Sequence, residues 1–134
     1  MNQNRLLPNE IADFVVANSD GLYNESDKAH IATYAGLHIK FGTLIVVRDK
    51  GDIIGVCRWN WVSPFHAKIL DLIIRPDFRH KQISRNMLLK AKKAWPSLEH
   101  ISFQRKKYAM RASSIEFSRW LKEKYEREII ANHN

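Results

Sequence analysis

The sequence predicts an α/β (α+β) fold in which helices cover both faces of a mixed β-sheet. Three observations support this prediction. Two β-branched segments flank a turn signal, a third segment is apolar on both faces, and strands alternate with helical segments in the second half of the chain. A hairpin that feeds a buried strand, followed by a strand–helix–strand crossover, gives both antiparallel and parallel neighbours. The predicted order is α-α-β-β-β-α-β-α-β.

Two helices are predicted ahead of the sheet. Residues 8–17 begin with Pro8, which suits a first helical turn, and carry apolar residues at helical spacing. After a polar turn, Ser26 is a candidate N-cap for a second helix over residues 29–39. Gly42 is expected to end that region.

Three strands are predicted next. Residues 43–47 form a short β-branched run, residues 49–52 (Asp-Lys-Gly-Asp) are a turn signal, and residues 53–62 complete a hairpin. The third strand, residues 67–74, is apolar on both faces except at Asp71. Such a pattern is typical of a central strand that is covered on both sides.

The second half of the chain alternates helix and strand. Residues 83–95 have helical apolar spacing and end before Pro96, and residues 100–104 form a strand. Ser113 or Ser114 is expected to cap a last helix over residues 115–125. Residues 128–131 are predicted to form a short final strand.

The tryptophans and the cysteine of the second strand have predicted places. Trp59 and Trp61 share one face of the strand, where they either pack under the helices, which we favour, or form the wall of a cleft. Cys57 is expected in the core rather than as a nucleophile. As the single cysteine, it excludes an intramolecular disulfide.

The chain carries a net charge of +8, and much of the excess lies between Arg75 and Arg111. This charge favours an anionic partner such as a nucleic acid, a phosphorylated cofactor or an acidic protein; the alternative is a lysine-rich solvated surface. The opening residues are polar, and the apolar runs are far shorter than the ~20 residues that span a bilayer. We therefore expect a cytoplasmic protein.

A basic loop joins the buried strand to the helix over residues 83–95. Backbone N–H groups at a helix start lack partners and favour negative charge, and Arg79, Lys81 and Arg85 lie at this point. The pattern indicates a pyrophosphate-binding turn. An ordinary strand–loop–helix connection with solvated basic residues is the alternative.

The segment IIRPDFRHKQISRNML, residues 73–88, resembles the acetyl-CoA-binding motif of the GNAT (GCN5-related N-acetyltransferase) superfamily. Arg79 matches the first motif position, Pro76 and Phe78 match its approach, and two small positions are occupied by Gln82 and Ser84. In the family, glycine lets the loop backbone approach the pyrophosphate. The resemblance covers most of the chain and implies one GNAT-like domain over residues 1–134, a short and divergent member.

This resemblance implies an acyl-CoA-dependent N-acyltransferase that transfers an acetyl group from acetyl-CoA to an amine of a small molecule or a protein. The six histidines of the chain show no metal-ligand spacing, so no metal is expected. The implied cofactor-binding residues are Ile73, Ile74, Arg79, His80, Lys81, Gln82, Ile83, Ser84 and Arg85.

The candidate catalytic residues are Asp71 as general base and Tyr108 as proton donor. For Asp71 the alternative is a strand carboxylate that pairs with a basic neighbour, and for Tyr108 it is a packing residue. His66 and His80, expected in loops near the cleft, are weaker candidates for the base.

A second hypothesis is a catalytically inactive GNAT-fold protein that binds nucleic acid or a protein partner through its basic face. Its support is the net charge and the interleaved run of basic and aromatic residues at 105–108. A homodimer that completes the edge of the sheet is a further expectation.

Overall fold

The computed structural model describes residues 7–79, 81–104 and 114–133 of the 134-residue chain. Its helices and strands follow in the order α1 (Pro8–Asn18), α2 (Lys28–Phe41), β1 (Leu44–Asp49), β2 (Asp52–Ser63), β3 (His66–Ile74), α3 (Ile83–Ala94), β4 (His100–Phe103) and α4 (Ser114–His133). Short 3-10 turns occupy Glu25–Asp27 and Pro76–Phe78. Within the described residues, none of the helices combines the length and apolarity needed to cross a membrane.

The sheet is mixed, as predicted. Its strand order is β1-β2-β3-β4; β2 is antiparallel to both β1 and β3, and β4 is parallel to β3. The β1–β2 hairpin turns at Lys50 and Gly51, whose φ angles are 51° and 89°. Two consecutive positive φ angles are typical of a type I′ turn, which matches the right-handed twist of the flanking strands.

The start of α2 differs from the prediction. Asn24, not Ser26, caps the segment: the backbone N–H of Asn24 donates to Asp27 Oδ2 at 2.7 Å in a reciprocal capping box. The box closes over a 3-10 turn that leads directly into α2, so the capping residue lies two positions earlier than expected. Gly42 ends the helix as predicted, with φ at 72°.

The predicted final strand over residues 128–131 is wrong, because α4 continues to His133. Leu121, Tyr125 and Ile129 follow one another at helical spacing, which continues the helical pattern through this segment. Glu128, on the last turns of α4, forms an ion pair with Lys93 of α3 at 2.6 Å.

Two apolar clusters cover the two faces of the sheet, which confirms the prediction for the third strand. On one face, Met87 and Leu88 of α3 and Leu121 of α4 belong to one cluster with Cys57, Trp59 and Ile69 of the sheet. On the other face, Ile11, Phe14 and Val15 of α1 and Ala35 of α2 belong to one cluster with Leu44, Val56 and Ile73 of the sheet.

The residues of β2 lie where the sequence predicts. Trp59 is 1% exposed, and Trp61 packs against the same cluster, so both lie under the helices rather than along a cleft. Cys57 is fully buried, and burial raises the pKa of its thiol to about 12. The prediction that Cys57 is a core residue is confirmed.

A β-bulge in β3 changes which face its side chains meet. Trp59 pairs with Ile69 and Arg58 pairs with Asp71, so Leu70 is the extra residue on β3. Ahead of the bulge, Ile69 packs under α3 and α4; beyond it, Ile73 packs under α1 and α2. Asp71 therefore lies on the α1/α2 side of the sheet.

Gly55 of β2 allows α3 to lie close to the sheet. A Cβ at this position would be 3.0 Å from Ile74 Cδ1 and 3.0 Å from Met87 Sδ. These separations are shorter than ordinary van der Waals contacts, so a larger residue requires the side chains of Ile74 and Met87, or α3 itself, to shift.

We expect Gly55→Val to lower the free energy of unfolding by about 2 kcal/mol through overpacking, although valine itself favours strands. Urea unfolding measures the change. The control is Asn60→Val at an exposed position of the same strand, where we expect a change within about 0.5 kcal/mol. Equal stability of the Gly55 variant and the natural protein would contradict the close approach of α3.

Candidate active site

A buried ion pair lies on the α1/α2 side of the sheet. Asp71 is 5% exposed, and its Oδ2 accepts hydrogen bonds from Arg58 Nε at 2.8 Å and Nη2 at 2.7 Å. Its Oδ1 accepts a hydrogen bond from the Tyr23 hydroxyl at 2.7 Å. Both oxygens of the residue predicted as general base are thus engaged, which is the alternative that the sequence offered, a carboxylate paired with a basic neighbour.

The other side of the Arg58 guanidinium meets a histidine. Arg58 Nη1 lies 3.4 Å from His38 Nε2, and His38 Nδ1 lies 2.7 Å from Thr43 Oγ1. Burial, and then the positive charge of Arg58, lower the pKa of His38, so its ring is neutral near pH 7 and its Nε2 can accept from Arg58. The guanidinium carbon also lies 5.6 Å from the centre of the Tyr34 ring.

A cavity of about 130 Å³ opens above this ion pair, between the sheet and helices α1 and α2. Its polar boundary consists of Tyr23, Asp27, His30, Tyr34, Arg58 and Asp71. The rest of its wall is aliphatic: Ile11, Val15, Ile31, Ala35, Leu44 and Val56. Asp71 therefore contributes to a site that can hold a small ligand.

The loop after β3 is fixed by Arg79. Its Nε donates to the Ile74 carbonyl at 3.0 Å, and its Nη2 donates to the Asn18 carbonyl at 3.1 Å. Its Nη1 forms an ion pair with Asp20 at 3.1 Å. The side chain predicted to hold a pyrophosphate is therefore used within the protein to tie the loop to the end of α1.

The segment that Arg79 holds leads into the cavity. Asp20 and Gly21 both have positive φ angles, 56° and 83°, and form a tight turn after α1. Ser19 Oγ accepts from the backbone N–H of Tyr23 at 3.1 Å. The turn thus places the Tyr23 hydroxyl beside Asp71. Because Arg79 binds the start of this turn, it connects the loop after β3 to the cavity through a short stretch of backbone.

The loop meets α3 at Gln82, whose φ is 61° and ψ is 21°. This left-handed conformation is the one that glycine adopts without strain, so the backbone has a glycine-like shape despite the exposed Gln82 side chain. The first turn of α3, from Ile83 to Arg85, contains no acidic residue. A helix start of this kind suits a phosphate group.

The remaining basic residues of the loop lie at its surface. The ammonium of Lys81 lies 5.2 Å from the centre of the Phe78 ring, and the guanidinium carbon of Arg85 lies 4.9 Å from the centre of the Trp120 ring. Ser84 is partly buried in the first turn of α3. Lys81, Gln82, Ser84 and Arg85 thus share one short segment, as the sequence predicts.

Other candidate residues lie elsewhere. Ile73 is buried under α1 and α2, whereas Ile74 and Ile83 pack on the α3/α4 side. His66 is the first residue of β3, at the opposite end of the strand from the loop, with its Nε2 2.7 Å from Ser102 Oγ; its expected place near the cleft is wrong.

Two candidates, His80 and Tyr108, and the basic run at 105–108 lie outside the described residues. In the part of the chain that the structure does describe, no group of three or more His, Cys, Asp and Glu residues could hold a metal ion.

Sequence reasoning missed Tyr23 and Arg58. Arg58 could have been found, because it is the charged residue within the apolar stretch of β2 and a buried Asp71 on the adjacent strand requires a cation. Tyr23 carried no such signal, because its approach to Asp71 depends on the turn at Asp20 and Gly21.

We expect Arg79→Ala to lower the free energy of unfolding by roughly 1 kcal/mol, because two backbone carbonyls and Asp20 lose their donor. Asp20→Asn should cost less, since Asp20 is more than half exposed, and the double variant should cost less than the sum of the two. Urea unfolding of the four proteins gives this coupling.

The control for Arg79 is Arg75→Ala, whose partner Asp77 lies in the same loop and is exposed. We expect little change in that variant. Strict additivity of the Arg79 and Asp20 variants would contradict their ion pair.

Comparison with known proteins identifies the family. The model of the acetyltransferase (GNAT) family matches residues 9–124. No curated protein sequence matches the chain significantly.

Solved structures show the same fold at low sequence identity. PH1933 from Pyrococcus horikoshii OT3 is 18% identical with a TM-score of 0.61, over 83% of this chain and 80% of that one. The PaiA N-acetyltransferase of Thermoplasma acidophilum, in complex with coenzyme A, is 16% identical with a TM-score of 0.54, over 72% and 71% of the two chains.

The diaminobutyrate acetyltransferase EctA of Paenibacillus lautus, in complex with L-2,4-diaminobutyric acid and coenzyme A, is 18% identical with a TM-score of 0.54. The match covers 90% of this chain and 69% of that one. These likenesses confirm the predicted fold class. Because the family match spans most of the sequence, the chain belongs to the acetyltransferase (GNAT) family.

Proposed function

We propose that this chain is an acyl-CoA-dependent N-acetyltransferase that transfers the acetyl group of acetyl-CoA to an amine held in the cavity. Family membership supports the reaction. The observation that carries the proposal for this chain is the arrangement along β3. Asp71 lines the cavity, and three residues later Ile74 leads into the basic loop. The strand end therefore lies between a pocket for a small ligand and a loop suited to phosphate.

The loop fits a coenzyme A pyrophosphate on its own features. Gln82 keeps the backbone in the left-handed region, and the first turn of α3 offers N–H groups without a competing carboxylate. Lys81 and Arg85 add positive charge on either side of Gln82. Arg79, whose guanidinium is held by Ile74, Asn18 and Asp20, shapes the loop instead of meeting the phosphates directly.

A second arm of the ligand is proposed to lie at the end of β3. In the described residues the pairing of β3 with β4 stops at Ile69 and Phe103, whereas β3 continues to Ile74. We place an extended amide chain such as pantetheine beside Ile73 and Ile74, the residues that lead into the basic loop. This placement keeps Ile73 and Ile74 among the cofactor-binding residues that we propose.

Acetyl-CoA supplies an activated thioester. The chain's part is to hold the amine in the cavity. In the balanced reaction the ammonium first releases one proton to solvent. A nitrogen–carbon bond then forms, the carbon–sulfur bond breaks, the nitrogen loses a second proton and the thiolate gains one. Because both oxygens of Asp71 accept hydrogen bonds, we assign Asp71 to holding Tyr23 and Arg58 in place at the cavity.

The solved structures with this fold include complexes with coenzyme A, among them the Thermoplasma acidophilum PaiA enzyme and the Paenibacillus lautus EctA enzyme. Their ligands support coenzyme A as the partner of this chain. A cytoplasmic location, a homodimer and binding of nucleic acid through the basic face stay predictions from the sequence.

We expect calorimetric titration with acetyl-CoA and with CoA to give saturable binding in the micromolar range. The titration tests the donor half of the proposal without requiring the right amine. Absence of binding at millimolar acetyl-CoA would overturn the proposed activity and direct attention to the basic face and nucleic acid.

We expect Gln82→Gly to raise the free energy of unfolding by about 0.5 to 1 kcal/mol, because relief of the left-handed strain outweighs the greater freedom of glycine in the unfolded chain. The same change should tighten acetyl-CoA binding, since it removes the side chain from the loop. Urea unfolding and calorimetry measure the two effects.

The matched control is Lys50→Gly in the β1–β2 turn, where φ is also positive at 51°. It should raise stability in the same way and leave acetyl-CoA affinity unchanged. Equal affinities of the Gln82 variant and the natural protein would show that position 82 does not approach the cofactor.

A further inference from the structure

We propose that the amine accepted in the cavity is a compact apolar monoamine without a carboxylate, of about the size of benzylamine. This proposal rests on the proposed function and specifies the substrate class for it. It depends on three properties of the cavity: its volume, the ion pair that Arg58 already forms, and the contacts that its carboxylates already make within the protein.

The volume limits the body of the ligand. The cavity measures about 130 Å³, and an apolar protein cavity of about 150 Å³ is known to accept benzene. The aliphatic part of the wall includes Ala35 of α2 and Val56 of β2, both nearly fully buried. An acceptor with a single six-membered ring or a short branched alkyl group therefore matches the space, and a polypeptide or an oligosaccharide body does not.

The cation at the cavity is already paired with a carboxylate of the protein. Among the described residues that line the cavity, Arg58 is the one lysine or arginine. Its Nε and Nη2 donate to Asp71, and its Nη1 faces His38. An amino acid would have to bury its carboxylate beside an arginine that already has an anionic partner, which is unfavourable.

One carboxylate at the cavity can attract an ammonium group of the ligand. Asp71 is neutralised by Arg58, and Asp27 is the other carboxylate among the described residues that line the cavity. Asp27 lies just ahead of α2 and is partly exposed, and its Oδ2 accepts from the Asn24 N–H. A cationic amine can therefore be attracted at the Asp27 rim, whereas a second ammonium at the far end of a compact ligand would lie against the aliphatic wall.

Acetylation assays with three matched amines test this substrate class. Benzylamine is the reference, L-phenylglycine is benzylamine with a carboxylate on the carbon that bears nitrogen, and p-xylylenediamine adds a second aminomethyl group. With product detected by mass spectrometry, we expect kcat/KM for benzylamine to exceed both others by at least about tenfold. Preference for phenylglycine or for the diamine would overturn the proposal while leaving acetyl transfer intact.

Substitutions in the cavity wall test whether this cavity determines the substrate specificity. Ala35→Leu fills the space and should lower kcat/KM for benzylamine by at least about tenfold, with acetyl-CoA binding as evidence that the variant is folded. Ala29→Leu, an exposed position on the same helix that does not line the cavity, should leave kcat/KM within about twofold. Val56→Ala enlarges the space and should shift the preference toward 1-naphthylmethylamine. No response to either wall variant would contradict the assignment.

Direct calorimetric binding of benzylamine separates this proposal from the proposed function. If acetyl-CoA does not bind and no amine is acetylated, the acetyltransferase function fails. Benzylamine binding that Ala35→Leu abolishes would still support the ligand class of the cavity. Absence of benzylamine binding, with or without acetyl-CoA, would overturn it.

Discussion

The bulge at Leu70 is the constraint on which the arrangement of this molecule depends. A strand without it would carry Asp71 to the same face as Ile69, into the apolar layer under α3 and α4 and away from Arg58. The extra residue reverses the alternation, so Asp71 meets Arg58 on the α1/α2 side, and within the described residues the pairing with β4 reaches only as far as Ile69. One inserted residue thus separates a polar cavity on one face from a continuous apolar core on the other.

The Arg58–Asp71 pair has a role beyond stability. A buried ion pair contributes little net free energy, because removal of both charges from water offsets their attraction. Its effect is on geometry: Asp71 holds Tyr23, and Arg58 reaches His38 at the far end of α2. Arg79 holds the same α1–α2 turn from the outside through Asn18 and Asp20. The turn is therefore fixed at two points, one toward the cavity and one toward the loop after β3, and these contacts link the two halves of the candidate active site.

The sequence predicts most of the elements, because their signals are local. Asp49 to Asp52 predicts the hairpin, the apolar run before Ile74 predicts a strand covered on both faces, and the basic loop before Ile83 predicts the family. What it could not predict depends on tertiary contacts. The bulge has no sequence signature at Leu70, the role of Arg79 depends on a turn some sixty residues away, and the left-handed backbone at Gln82 is imposed by the loop against the preference of the residue. The continuation of α4 past Glu128 was missed because two adjacent isoleucines also favour a strand.

The burial of Cys57 has a practical consequence for the study of this protein. Its thiol is fully enclosed between the sheet and α3, and with a pKa raised to about 12 it is not ionised at neutral pH, so it lacks the thiolate that attacks disulfide reagents. Because it is the single cysteine of the chain, the folded protein should not react with Ellman's reagent. Free coenzyme A released during turnover can then be followed continuously by its own sulfhydryl, without a background from the enzyme and without loss of activity through oxidation.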